Sequence, residues 1–203
     1  VPAAVACCFI QGRDLERAEF LRLVRLNYPF IRKELCMPWN DDELDTLTTA
    51  AIDALVAQEL LTHARRKNIL KRPPAGSAEV YQLLMLGQSM VPMIQRFYLA
   101  IAILVQHGSG SLSRVELERK CEMSAERLSL IYGLHSPDFF NKTLFHDYVR
   151  KLLDLEVLRR NQDGLLEFDA DIVGIGADAR LVLGEEIRHS ILSLTVNDKQ
   201  DDE

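Results

Sequence analysis

Apolar residues recur at intervals of three and four over most of this chain, and short breaks rich in Gly, Pro or Ser separate these stretches. Such spacing puts the apolar side chains on one face of a helix, so the chain must fold mainly as packed amphipathic helices. One clear case begins at Asn40, which with Glu43 approximates a capping box before Leu44, Leu47 and Ala51. The sequence therefore predicts a mainly α fold.

Polar and proline residues suggest where the other helices begin and end. Asp14 is the predicted N-cap of a helix that Pro29 ends, and Ser77 begins a long apolar helix or kinked pair. Ser113 and Ser124 are each predicted to begin a helix, and a final helix runs from about Asp171 to 194. Further breaks are predicted at 73–76, at Gly87 and Pro92, at 108–111 and at 133–137.

Two helices are predicted to run into short β-hairpins. Residues 60–64 and 69–71 form the first pair of candidate strands, and 157–160 and 165–168 form the second. We therefore predict helical domains with short winged-helix-like β-hairpins. The expected division is a helical subdomain 1–75 with a basic hairpin, a helical subdomain 76–197 with a hairpin near 157–168, and an acidic, frayed tail 198–203.

A short internal repeat links the two predicted hairpins. Residues 55–61 (LVAQELL) match residues 152–158 (LLDLEVL) at a constant offset of 97 positions, and each stretch joins a helix to a hairpin. One interpretation is a duplicated winged-helix-like unit. Another is that any amphipathic helix meeting a strand gives this pattern, so both interpretations stay open.

Composition favours an ordinary packed protein and disfavours bulk nucleic-acid binding. The formal net charge is −6 with a pI near 5.4, so the summed field repels phosphate backbones. Four cysteines without a regular framework suit a reducing compartment without disulfides. Residues 1–10 resemble a cut element rather than a leader, and Gln88, Pro92 and Arg96 interrupt the longest apolar stretch, so we expect no transmembrane segment.

The sequence contains none of the recognised catalytic patterns, so we predict no catalytic, cofactor-binding or metal site. The five histidines are scattered singly and form no helical pair with metal-ligand spacing. The local cluster at 135–138 is explained by a chain reversal, and Gly174-Ile175-Gly176 lacks the third glycine of a nucleotide loop. An enzyme with its own dispersed site is the least favoured interpretation.

Two features are candidate contacts with other molecules. Five basic residues fall within eight positions and form a candidate contact with an anionic surface, although exposed hairpins are also basic for solubility: Arg65, Arg66, Lys67, Lys71 and Arg72. Tyr28, Phe30 and Trp39 lie beside prolines and cations. They are candidate interfacial or docking contacts, with packing in a core as the alternative.

Five short stretches spread along most of the chain form a recognisable set: residues 31–45, 108–118, 125–134, 136–142 and 178–183 with 186–188. Together they resemble the carboxy-terminal region of bacterial membrane-bound glycerol-3-phosphate acyltransferases. The resemblance implies a parent enzyme that transfers an acyl group from acyl-CoA or acyl-carrier protein to the first hydroxyl of glycerol 3-phosphate, the first step of phospholipid synthesis. It also implies a location at the cytoplasmic face of the bacterial inner membrane.

The catalytic signature of that family, His-x-x-x-x-Asp, is absent from this sequence. None of the five histidines is followed by Asp at the required position, so no catalytic residue is carried over. We therefore predict the region that follows the acyltransferase domain, inactive alone, with that domain and an anionic membrane surface as partners. The alternative is a tandem winged-helix-like binding module for nucleic acid or an acidic protein partner.

Overall fold

The computed structural model describes residues 1–34, 37–64, 68–132, 142–179 and 182–200. These residues are mainly helical with short antiparallel strands, which confirms the predicted fold class. The elements in chain order are α1 (Pro2–Cys7), β1 (Leu15–Glu16), α2 (Arg17–Glu34), α3 (Asp41–Ala57), β2 (Thr62–His63), β3 (Ile69–Lys71), α4 (Ala78–Gln88), α5 (Val91–His107), α6 (Arg114–Tyr132), α7 (Lys142–Asp154), β4 (Arg159–Arg160), β5 (Leu166–Glu167), α8 (Asp171–Asp178) and α9 (Glu185–Gln200).

The chain divides into two compact units, an N-terminal unit Val1–Pro92 and a C-terminal unit Met93–Glu203. In the N-terminal unit α4 packs on α1, so this helix groups with the residues before the proline-rich break at 73–76. The division of the chain into domains at residue 75 stays a prediction.

The N-terminal unit contains a three-stranded antiparallel sheet in the order β1-β3-β2. The hairpin of β2 and β3 confirms the predicted strands, with Thr62 opposite Lys71. Strand β1 was not predicted, and it places Leu15 opposite Leu70, both buried. Asp14 is therefore not the cap of α2, because β1 intervenes and the N–H of Arg17 donates to the carbonyl of Asn68 at 2.9 Å.

Helix α2 continues to Glu34, so the prediction that Pro29 ends it was wrong. A proline inside a helix removes one backbone hydrogen bond and costs about 3 kcal/mol. Burial on the same helix offsets this cost, because Phe20, Leu23 and Tyr28 are all buried. The predicted starts of the next helices are confirmed: the N–H of Asn40 donates to Glu43 Oε2 at 3.0 Å, and Ser77 Oγ accepts from the N–H of Val80 at 3.2 Å.

The C-terminal unit repeats this plan with a two-stranded sheet of β4 and β5. The place of β1 is taken by a single bridge between Ser113 and Leu165, and the N–H of Leu166 donates to the carbonyl of Leu112 at 2.7 Å. Helix α6 begins as predicted, because Ser113 N–H donates to Glu116 Oε2 at 2.8 Å. Helices α7 and α9 both pack against α6.

Two predicted boundaries in this unit were wrong. Ser124 does not begin a helix; it lies fully buried within the continuous α6, whose capping signal is at Ser113 instead. The predicted final helix is divided into α8 and α9 by a segment that includes Val182, Leu183 and Gly184. The predicted break at 133–137 lies outside the described residues, and so do residues 201–203 of the acidic tail, while α9 extends to Gln200.

The internal repeat extends far beyond the seven residues that the sequence revealed. Helices α2 and α6 begin 97 positions apart, helices α3 and α7 end 97 positions apart, and β2 and β4 keep the same offset. Glu59 and Glu156 are the two non-glycine residues described with positive φ, at 61° and 58°, and they too are 97 positions apart. Apart from α9 and the bridge that replaces β1, the described elements therefore follow the same order in the two units, as duplication requires.

The helix ends before the two hairpins also use the same hydrogen bonds. The N–H of Leu60 donates to the carbonyl of Leu55 at 2.8 Å, and that of Val157 to the carbonyl of Leu152 at 3.0 Å. Each bond spans five residues and, with the left-handed Glu, forms a Schellman motif. This motif ends the helix and directs a leucine two residues after the left-handed Glu, Leu61 or Leu158, into the core.

Each unit has a helical glycine close to a neighbouring helix. A Cβ on Gly87 of α4 would lie 2.9 Å from the backbone N of Cys7 in α1. A Cβ on Gly176 of α8 would lie 3.1 Å from Cγ2 of Ile101 in α5, a side-chain atom. Close packing of α4 on α1 therefore requires a residue without a side chain at Gly87, whereas the contact at Gly176 is less strict.

Candidate interaction surfaces

The basic segment predicted to contact an anionic surface belongs to the hairpin of β2 and β3. Arg65, Arg66 and Lys67 lie outside the described residues. Lys71 is exposed on β3, whereas the Arg72 guanidinium donates to the carbonyl of Ile10 at 3.1 Å. Arg72 is thus held within its own unit, and Lys71 is the described basic side chain of this segment that faces solvent.

The aromatic residues predicted as docking contacts have different environments. Tyr28 is buried, and its hydroxyl donates to the carbonyl of Trp39 at 3.0 Å, so it ties α2 to the segment before α3. Trp39 is half-buried, and the side chain of Phe30 lies outside the described part of the structure. Tyr28 therefore has the packing position that was the alternative to a membrane contact.

Helix α3 has an acidic surface, although its position before the hairpin is that of the recognition helix in a helix-turn-helix unit. It contains five Asp or Glu residues and no Lys or Arg. Asp45 forms a two-bond ion pair with Arg25, which lowers the pKa of the Asp45 carboxyl, and Asp53 lies 3.4 Å from Arg17. Its charge would repel phosphates, so α3 is a poor nucleic-acid reader.

A compact cluster of Arg114, Glu118 and His146 joins α6 to α7. Arg114 Nε donates to Glu118 Oε1 at 2.6 Å, and His146 Nδ1 lies 3.2 Å from the same carboxylate. Arg114 Nη2 lies 2.9 Å from both ring nitrogens of His146. Since Glu118 is almost fully buried and already paired with a guanidinium, the cluster fits a structural link between helices better than a proton-transfer pair.

Sequence reasoning missed this cluster, because His146 lies 28 positions from Glu118 and 32 from Arg114, on a different helix. The signal that the sequence did contain was the spacing of Arg114 and Glu118 by four residues, which places their side chains on one helix face. His146 joins them only when α7 packs on α6.

Within the described ranges, no group of three His, Cys, Asp or Glu side chains is arranged to hold a metal ion. Burial raises the pKa of the Cys7 and Cys121 thiols well above the ordinary range. A raised pKa keeps these thiols protonated, which makes them poor nucleophiles and poor metal ligands.

Four exposed large apolar side chains of the C-terminal unit lie on α6, and three of them, Leu130, Val115 and Ile131, are more exposed than any other described in this unit. We call Val115, Met123, Leu130 and Ile131 the α6 apolar face; they are 73, 37, 85 and 61% exposed. Arg119 and Glu126 lie between them along the helix and are also exposed. In the N-terminal unit, Tyr81 and Met85 form a smaller exposed pair on α4, 61 and 78% exposed.

Among the described residues, no single helix has both the length and the apolar composition to cross a bilayer. The consecutive helices α4 and α5, with the bend between them, meet these two criteria only when taken as a pair.

Each of the two units combines helices with a short antiparallel hairpin, and together they define a mainly helical protein region. The family described as the glycerol-3-phosphate acyltransferase C-terminal region matches residues 1–161. The chain belongs to this family, as its sequence resemblance implied.

Curated relatives named glycerol-3-phosphate acyltransferase match almost the whole chain. The protein of Xanthomonas campestris pv. campestris is 39% identical over 189 residues, which cover 92% of this chain and 21% of the relative. That of Pseudomonas aeruginosa strain PAO1 is 38% identical over 193 residues, 94% of this chain and 23% of the relative. That of Pseudomonas fluorescens strain Pf0-1 is 36% identical over 203 residues, 99% of this chain and 24% of the relative.

The chain thus spans between about a fifth and a quarter of the length of these relatives. No solved structure matches it.

Proposed function

We propose that this chain is the non-catalytic, helical C-terminal region of a glycerol-3-phosphate 1-O-acyltransferase. The parent enzyme would transfer an acyl group from acyl-CoA or acyl-carrier protein to the first hydroxyl of glycerol 3-phosphate and so begin phospholipid synthesis. The observation that carries the proposal is the family match over residues 1–161 by a chain that spans about a fifth of its relatives.

The proposed role is to dock on the acyltransferase portion of the same polypeptide. Two features support this role: the sequence offers no His-x-x-x-x-Asp pair for the chemistry, and large apolar side chains remain exposed on α6. Exposed apolar side chains that lie together on a folded domain are typical of protein interfaces.

A second proposed contact is the anionic lipid at the cytoplasmic face of the bacterial inner membrane. Its support is the basic segment Arg65–Arg72, which holds five of the eleven basic residues of its unit. Each basic residue near an anionic bilayer contributes about 1 kcal/mol of binding free energy.

Acyltransferase assays would test the proposal directly. The purified chain, given glycerol 3-phosphate and palmitoyl-CoA, should form no lysophosphatidic acid, whereas the full-length Xanthomonas campestris relative should. A hybrid in which this chain replaces the corresponding C-terminal region of that relative should retain activity, and the relative truncated before that region should lose activity or stability. Acyl transfer by the chain alone, or full activity and stability of the truncated relative, would contradict the proposal.

The alternative of a nucleic-acid-binding module receives less support. Helix α3 has no basic residue, and the net charge of −6 opposes phosphate binding. DNA binding that falls steeply with salt and disappears when Arg65, Arg66 and Lys67 are replaced by Gln would favour that alternative.

A further inference from the structure

Because the internal repeat contains equivalent helices, α2 and α6, a comparison of their equivalent positions distinguishes residues that the fold requires from residues that it does not. Positions 97 apart occupy the same place in α2 and α6, because both helices begin at equivalent residues and follow an equivalent strand position. The buried pairs agree: Leu15 and Leu112 are each 6% exposed, and Phe20 and Leu117 are each 0% exposed. Residues that the core of the repeated unit requires should therefore be apolar in both units.

Half of the α6 apolar face does not follow that rule. Leu130 and Ile131 correspond to Lys33 and Glu34 in α2, whereas Val115 and Met123 correspond to the apolar Ala18 and Leu26. Charged residues at two of the four positions show that the repeat accepts polar side chains there. The exposed Leu130 and Ile131 on α6 therefore serve something other than folding of the unit.

The spacing on α6 fits a partner that lies along the helix. Val115, Met123 and Leu130 are separated by eight and seven residues, which places them within about 80° of one another around the helix axis. From Val115 to Leu130 the stripe extends over about 22 Å, from a rise of about 1.5 Å per residue. Arg119 and Glu126, one of each sign, lie within the stripe and suit a protein surface of mixed charge better than an anionic bilayer.

We propose that the α6 apolar face is the surface on which the C-terminal unit docks against the acyltransferase portion of the parent polypeptide. This inference rests on the proposed function, and it names the docking surface that the proposed function leaves open. About four-fifths of the length of the Xanthomonas campestris relative lies outside the region matched by this chain, which favours that portion as the occupant. That portion is present at high effective concentration in the same molecule.

The test uses the full-length hybrid in which this chain replaces the C-terminal region of the Xanthomonas campestris relative. Hydrogen exchange is compared between the hybrid and the isolated chain. We expect amides of residues 115–131 to exchange at least about tenfold more slowly in the hybrid, because docking removes the local openings of α6. Amides of α4 should exchange at equal rates in the two proteins.

A paired substitution then separates docking from folding. Val115→Ser with Leu130→Ser should abolish the added protection of α6 in the hybrid and lower its acyltransferase activity. The matched control is Tyr81→Ser with Met85→Ser, which removes two equally exposed apolar side chains from α4 and should change neither result. Thermal unfolding of the isolated chain should be unchanged by either pair, since exposed positions contribute little to stability.

Several outcomes would overturn the inference while the proposed function stands. One is an active hybrid in which α6 gains no protection from hydrogen exchange. Another is an equal loss of acyltransferase activity in the α6 double variant and in the α4 double variant. Sedimentation showing that the isolated chain dimerises through the α6 apolar face would replace the proposed occupant with a second copy. Binding to phosphatidylglycerol vesicles that depends on Leu130 would replace it with lipid. An inactive hybrid whose α6 is nevertheless protected would overturn the proposed function and leave the docking surface in place.

Discussion

The two hairpins of this protein share one backbone plan and differ in charge. The N-terminal hairpin segment, residues 62–72, contains five Lys or Arg and no Asp or Glu, whereas residues 159–168 contain two Arg, one Asp and one Glu. The two units that contain these hairpins also differ in net charge, and again the N-terminal one is the more basic. Residues 1–92 have eleven basic and eleven acidic residues, and residues 93–203 have thirteen and nineteen.

This difference shows that the backbone features shared by the two units and the side chains on their surfaces are determined by separate requirements. The left-handed Glu, the Schellman bonds and the buried leucines are the same in both units, because these features end a helix and start a hairpin. The hairpin charges and the outer face of α6 differ, because those side chains face solvent or a partner. Functional specialisation is therefore expected at the surface positions where the two units differ.

The largest predicted effect tests whether the two cores are equivalent. Leu55→Ala and Leu152→Ala each remove a buried side chain at the same place in the repeat. Each should lower the free energy of unfolding of its own unit by about 2–5 kcal/mol, from lost burial and the cavity left behind. Urea unfolding followed by circular dichroism would measure both. A loss below about 1 kcal/mol in one variant alone would break the equivalence.

The next prediction separates the two hairpins by their charge. Replacing Arg65, Arg66 and Lys67 by Gln should weaken binding to phosphatidylglycerol-containing vesicles by about 3 kcal/mol, at about 1 kcal/mol per basic residue. Vesicle sedimentation at low and physiological salt would measure the change. The control, Arg159→Gln with Arg160→Gln in the second hairpin, should leave binding nearly unchanged. Equal losses in the two variants would show that the basic segment has no special role.

A smaller effect is predicted at the two left-handed residues. Glu59→Gly and Glu156→Gly should each raise the free energy of unfolding by about 1 kcal/mol, because glycine adopts positive φ without steric cost. Gln58→Gly, at a neighbouring position with negative φ, should instead lower it. Chemical denaturation would compare the three, and a destabilised Glu156→Gly would show that this carboxylate has an additional role.

The smallest predicted effect compares two glutamates at equivalent positions. Glu116 accepts a hydrogen bond from the N–H of Ser113, whereas Glu19 pairs with Arg22 on an open surface. Glu116→Ala should cost about 0.5–1 kcal/mol, as loss of a helix cap does, and Glu19→Ala should cost less. Thermal unfolding of both variants at pH 7 would rank them.

The pH dependence of the Glu116 contribution has a defined sign. The hydrogen bonds from Ser113 hold the pKa of the Glu116 carboxyl below its usual range. Its stabilising contribution is therefore complete above the unfolded pKa of about 4.3 and is lost as the pH falls through the lower folded pKa. If the difference in stability between Glu116→Ala and the unchanged chain were the same at pH 7 and pH 3, the capping role would be refuted.

Local signals in the sequence predicted much of the fold. The caps at Asn40, Ser77 and Ser113 and the strands of both hairpins depend on residues a few positions apart, so the sequence contains the whole signal. The seven-residue repeat was visible because it includes the buried leucines that the Schellman motif positions. The same logic did not reveal β1, whose two residues form a strand only by pairing with β3.

Errors occurred where tertiary packing overrode a local preference. Pro29 is a helix breaker in isolation, but buried neighbours such as Tyr28 stabilise α2 beyond it. Ser124 favours a helix start, yet it is buried in the middle of α6. The α6 apolar face was missed for a related reason, since apolar residues at helical spacing normally predict a core, and only the structure shows that Val115 and Leu130 face solvent.

The two copies of the repeat differ in length at the tips of their hairpins. The offset between the units is 97 positions up to β2 and β4, but Leu70 and Leu166, which occupy the same buried strand position, are 96 apart. The two hairpin tips, residues 64–69 and 161–165, therefore differ in length by one residue, while the strands on either side keep the same pairing. Replacing residues 64–69 by residues 161–165 should thus remove three basic residues from the first unit and leave its framework intact.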